Sequence, residues 1–175
     1  MNNDSHSHSL SHSPSHNSLI AHRLTFFCFT SFFCLISACF CISCSFSIRL
    51  FLSRVAHAVR DGQLEVHAYC VLSTHYHMLV RSPIGELSPA MRRIQNIYVR
   101  WFNRSRRRDG PLVRTRYLSK RVNTLHYRTA LVRYIDDNPV KAKIASSPLL
   151  YPHCSARHHV AARAPKWLCR DWIRD

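Results

Sequence analysis

Acidic side chains are scarce in this chain. Asp and Glu total 9 against 25 Lys and Arg, leaving a formal charge of +16 over 175 residues. That balance argues against cationic partners and for polyanions, of which phosphate backbones are the commonest. A second Cys-x-x-Cys is also missing. The eight Cys therefore form no zinc knuckle and no paired disulfide framework, and a reducing compartment with free thiols is the simplest setting. Residues 24–48 lack charge, Gly and Pro altogether, while Phe, Cys and seven Ser or Thr fill them. Five of the Cys (Cys28, Cys34, Cys39, Cys41, Cys44) lie in this one tract.

The basic residues are unevenly placed. From Arg81 to Asp175 there are 21 Lys and Arg against 6 Asp and Glu, a net of +15, with the run Arg106-Arg107-Arg108 inside it. Residues 1–23 are the opposite case, a low-complexity His/Ser segment with too few apolar side chains to offset chain entropy. Disorder is expected there. Residues 24–46, the apolar tract, are long enough to span a bilayer or mimic a signal sequence. No convincing small-residue cleavage site follows. Residues 25–33 are an alternative buried strand.

From about Ser47 the pattern is that of a folded domain, taken as 47–150, with 151–175 as a basic C-terminal tail. Ile48, Phe51, Leu52, Val55 and Val59 recur at helical spacing and stop at Asp61-Gly62. Residues 66–80 read as two short strands and a turn. Ser88-Pro89 opens a second helix with the stripe Met91, Ile94, Ile97, Tyr98, Trp101 and Phe102. Arg92, Arg93, Arg100 and Arg104 occupy its other face. Residues 112–122 read as a strand carrying Arg114, Arg116, Lys120 and Arg121. Asn123-Thr124 can cap a third helix that Pro139 limits. Helix, strand, strand, helix, strand, helix is an α+β order, with an antiparallel sheet and helices on one face. A preceding strand would complete the ferredoxin-like plan, and that strand is expected to be missing or replaced.

His75 and His77 sit two apart on the second strand of the pair and so share a face. Tyr134 and Asn138 are four apart on the third helix and share a face too, with Tyr127 one heptad earlier. Two imidazoles and an amide oxygen suit a divalent ion, which would polarise a phosphate. A phenol beside them suits a covalent nucleophile. Taken singly, each piece has a structural reading: paired strand histidines, a packed helix Tyr, and an Asn that ends a helix.

The segment from about Val66 to Trp167 resembles the single-tyrosine HUH transposases, closest to the REP-associated tyrosine transposases. The likeness rests on His75-Tyr76-His77 and on Arg133-Tyr134-Ile135-Asp136-Asp137-Asn138-Pro139-Val140-Lys141-Ala142. It extends to Trp101-Phe102-Asn103, Gly110-Pro111-Leu112, Arg116-Tyr117, and Tyr151-Pro152 followed by Ser155-Ala156-Arg157. The resemblance implies an enzyme of DNA transposition that cuts and rejoins single-stranded hairpin DNA. It implies His75, His77 and Asn138 as ligands of Mg2+ or Mn2+, and Tyr134 as the residue that takes a 5′-phosphotyrosine. Tyr127 is the runner-up nucleophile. Arg92, Arg93, Arg100, Arg114, Arg116, Lys120 and Arg121 would hold the hairpin. A homodimer or a monomer, no small-molecule cofactor and a cytoplasmic, DNA-associated location go with it.

The chain departs from the family in three places. Thr74 stands where Asn is usual, and His153-Cys154 where Trp-Ser is usual. The family's first strand has no recognisable counterpart. Residues 1 to about 45 are therefore expected to be a shifted reading frame or wrong start, in preference to a membrane anchor. The alternative functions are a nucleic-acid-binding module without cleavage, a degenerate remnant of the enzyme, or a membrane-associated protein.

Overall fold

The computed structural model describes residues 33–39, 44–113 and 116–171, the first of these as backbone only. The expectations for the His/Ser segment, for residues 25–32 and for Arg114 lie outside the described residues.

A four-stranded antiparallel sheet organises the molecule. Its strands are β1 (Phe33–Cys39), β2 (Glu65–Val71), β3 (His75–Arg81) and β4 (Leu118–Val122), in spatial order β2-β3-β1-β4. That is the ferredoxin-like order, and the α+β expectation holds. The apolar tract supplies the first strand, a few residues later than the sequence suggested. β1 pairs with β3 on one side (Ser37 opposite His77, Cys39 opposite His75) and with β4 on the other (Ile36 opposite Ser119). The sheet is therefore not missing its centre. The β4 expectation is trimmed at its start, because pairing begins only at Leu118.

Helix α1 (Ser45–Arg60) follows β1, and α2 (Leu87–Arg106) follows β3. Both lie on one face of the sheet. There Ile48, Phe51 and Val55 of α1 and Met91, Ile94, Tyr98 and Phe102 of α2 bury against Val66, Tyr69, Tyr76, Met78 and Val80. α1 stops where expected, since Gly62 takes φ +70, a left-handed conformation that glycine adopts without steric cost. α2 starts two residues before the expected point, at Leu87. Ser88 does not cap it; its Oγ accepts from Arg116 Nη2 at 2.9 Å.

Helix α3 (Leu125–Asp136) takes the other face, so the one-face expectation holds for the first two helices only. Leu131, Val132 and Ile135 pack with Ala68, Cys70, Leu72, Leu79 and Val122. Alternation along β3 decides this: Tyr76, Met78 and Val80 point to the first core, and Leu79 to the second. Thr124 caps α3, its Oγ1 accepting from the Tyr127 N–H at 3.1 Å. A short helix, α4 (Asn138–Lys141), carries Pro139 in its first turn, where a missing N–H costs nothing.

Residues 151–171 are part of the fold and not a tail. They cover the outer edge of β2: Ser155 N–H donates to the Tyr69 carbonyl (2.8 Å), Cys169 N–H to that of Val66 (2.8 Å), and Val71 N–H to that of His153 (3.0 Å). An edge strand covered in this way offers no open row of backbone groups. Within this segment, helix α5 (Ala156–Val160) starts just after Ser155. Among the described residues no helix is long and apolar enough to cross a membrane.

Candidate functional site

The face of the sheet under α3 holds the predicted histidines. The His75 and His77 rings are 5.0 Å apart between centroids and nearly perpendicular. Thr74 Oγ1 lies 2.9 Å from His75 Nδ1 and fixes that ring. His77 Nδ1 is buried with no hydrogen-bond partner. Burial pulls the His77 imidazole down to about 4, and the neighbouring His75 adds to the effect. Burial lowers His75 as well. Both rings are therefore neutral near pH 7, the state in which imidazole ligates a metal.

Tyr134 reaches this pair from α3. Its ring sits 5.7 Å from that of His77, edge to face, and it is 40% exposed. A packed core tyrosine would not show that exposure, whereas a residue that meets an outside substrate needs it. Lys141 of α4 places its Nζ 4.5 Å from the centre of the Tyr134 ring, a close cation–π contact. Asn138 is buried and uses its amide nitrogen on the Tyr134 carbonyl (2.7 Å) and the Ile135 carbonyl (3.3 Å). Its Oδ1, the acceptor end of the amide, is not used in these two bonds. Among the described residues no hydrogen bond joins Asn138 to either histidine, and no group of three or more His, Cys, Asp or Glu sits together.

Tyr127, the runner-up nucleophile, is not brought to the histidines. It packs partly buried against the second core, under Lys120, whose Nζ lies 5.5 Å from its ring centre. Two turns of helix, about 10 Å, separate it from Tyr134 along the axis.

The basic residues spread over two elements. Arg92, Arg93 and Arg100 of α2 are exposed, as are Lys120 and Arg121 of β4. Arg116 binds Ser88 and lies over the Tyr117 ring at 5.6 Å, tying the segment before β4 to the start of α2.

Two features lie among the resemblance motifs but received no role from the sequence. The first is Lys141, three residues past Asn138, whose place over Tyr134 depends on the break between α3 and α4. The second is a polar cluster behind the site. Asp136 meets Ser155 Oγ at 2.7 Å and His159 Nδ1 at 2.9 Å, and His159 Nε2 reaches the His67 carbonyl at 3.0 Å. Ser155 Oγ also accepts from the Tyr69 N–H at 2.9 Å. Asp136 is two residues past Tyr134 and so faces away from it, locking the end of α3 to β2 and α5. Its partners are far away in the chain, so no local pattern announces them.

Neither a family model nor a curated protein matches the chain. Among solved structures, it is similar to that of a REP-associated tyrosine transposase bound to a REP hairpin. The TM-score is 0.62 at 20% sequence identity, over 81% of this chain and 87% of the other. At that identity the likeness shows a shared fold.

Proposed function

We propose that the protein is a transposase-like nuclease that cuts and rejoins single-stranded hairpin DNA through Tyr134. One observation carries this reading above the others: a half-exposed phenol stands in ring contact with the second of two neutral, paired histidines. The fold shared with a transposase bound to a DNA hairpin supports it. So does the net charge of +16, which favours a phosphate backbone as partner.

In the cutting step the Tyr134 oxygen attacks the scissile phosphorus, and the bond to the 3′-oxygen breaks. The phenol loses its proton and the departing 3′-oxygen gains one. The products are a 5′-phosphotyrosine and a free 3′-hydroxyl. Rejoining is the reverse, with a 3′-hydroxyl displacing Tyr134. Lys141 holds positive charge beside the ring where negative charge gathers. His75, His77 and Asn138 would hold a divalent ion, Mg2+ or Mn2+. The buried, unpartnered Nδ1 of His77 and the neutral state of both rings fit such a ligand set. When bound, the ion supplies Lewis-acid polarisation of the phosphate. Imidazole ligands suit the softer Mn2+ slightly better. Arg92, Arg93, Arg100, Arg114, Arg116, Lys120 and Arg121 supply the phosphate contacts.

The test is incubation with a palindromic single strand and Mn2+, followed by a denaturing gel. The intact protein yields a covalent adduct, and Tyr134→Phe yields none. An adduct formed by that variant would remove Tyr134 from the role. Salt-sensitive binding with no adduct under any metal would leave a nucleic-acid-binding module instead.

A further inference from the structure

On the far side of the sheet from Tyr134, the helix pair α1 and α2 leaves a cavity of about 160 Å³. Drug-sized pockets run from roughly 300 to 1,000 Å³, so this one suits a single planar group and not a whole dinucleotide. Ala58 and Ile94 give it apolar walls, and Arg54, Arg93, Asp61 and Gln63 line it with polar groups. Gln63 is only 7% exposed, yet its Oε1 is buried with no hydrogen-bond partner. Arg54 Nε is buried and unpartnered in the same way. Buried polar atoms are almost always paired, so two on one cavity call for an occupant.

The Gln63 backbone is fixed from two sides. Its N–H donates to the Ala58 carbonyl at 3.0 Å, and its own carbonyl accepts from Ser82 Oγ at 3.1 Å. A simple anion would satisfy the arginines but not the buried acceptor, the Gln63 amide oxygen. A flat group with acceptors on one edge and donors on another satisfies both.

The geometry points to a pocket for one unpaired guanine base of a bound DNA strand. Guanine O6 and N7 accept from Arg54 and Arg93. Its N1–H and N2–H donate to Gln63 and Asp61. This inference rests on the reading of the chain as a single-stranded-DNA enzyme, and it places a recognition site away from the cut.

Binding of fluorescent d(TTTGTTT) and d(TTTATTT) to the full chain tests it, in Tyr134→Phe with EDTA so that no strand is cut. The guanine probe should bind roughly tenfold tighter, the scale of one good bidentate base contact. Arg54→Met and Gln63→Leu should each bring the two probes to within about twofold. Equal affinity for the two probes in the parent overturns the pocket. So does a preference that survives Arg54→Met, the variant at the less buried position. Competition by inorganic phosphate as strong as by GMP overturns it too, leaving an anion site only. Adduct formation by the Tyr134-containing protein is scored separately. An adduct without base preference sinks this inference and leaves the proposed chemistry standing.

Discussion

Tyr134 illustrates how much one side chain depends on its immediate neighbours. A tyrosine on an amphipathic helix is usually core, and Tyr127 on the same helix is that case. Tyr134 differs because the helix breaks just beyond it and the next turn brings Lys141 over its ring at 4.5 Å. The ammonium lies on the ring that also meets His77, and in the proposed reaction it would stand beside the attacking phenol. Cation–π contacts contribute about 0.5–2 kcal/mol. Lys141→Met should therefore slow adduct formation by roughly three- to thirtyfold, with hairpin affinity changed much less. Lys141→Arg should recover most of the rate. A loss of binding equal to the loss of rate would make Lys141 a general phosphate contact and not a positioning residue.

Among the elements, β1 carries the clearest lesson about what the sequence reveals. The histidine strand, both flanking helices and the capped α3 were legible from their periodicity, even though Ser88 does not cap α2. Ile48 to Val59 shows the 3.6-residue repeat and Asp61-Gly62 the stop, and β3 shows alternation. The tract around β1 shows neither. An unbroken apolar run is what a strand covered on both faces looks like, but it is equally what a membrane span looks like. Only pairing resolves the two, and pairing is long-range: Phe33 meets Arg81 on one side and Val122 on the other. The Asp136 cluster escaped for the same reason. The site residues were legible as a motif, while the separation of Tyr134 from Tyr127 needed the helix to be placed on the sheet. Because β1 pairs on both sides, a proline there removes a ladder hydrogen bond from the middle of the sheet. Ile36→Pro, at the centre of the β3 pairing and inside the β4 pairing, should abolish cooperative thermal unfolding followed by circular dichroism. An unchanged melt would mean that the sheet does not need this strand.

At the scale of the whole molecule, stability is set against charge. The chain already carries +16 before any of its 13 histidines titrates, so acidification adds like charge to an excess. Several of those histidines are held neutral by the fold. Burial pulls His67 down to about 3 and His77 to about 4, and it also lowers His75, His153 and His158. In each case the unfolded chain takes up a proton near the ordinary value of about 6.5 while the folded chain resists it. Unfolding therefore binds protons below that pH, and stability falls as the pH falls. The loss begins near pH 6.5 and continues down to about pH 4 for His77 and about pH 3 for His67. The metal-free protein, kept in chelator, should show a melting temperature that is nearly level from pH 8 to 7 and drops steeply from pH 6.5 to 4. His77→Gln should flatten part of that drop without raising the plateau, because glutamine does not titrate in the window. A drop of unchanged steepness in His77→Gln would assign the acid sensitivity to the other buried histidines and to net charge. A melting temperature independent of pH across the window would show that none of these rings is held neutral by the fold. The same neutrality that readies His75 and His77 for a metal would then have no physical basis.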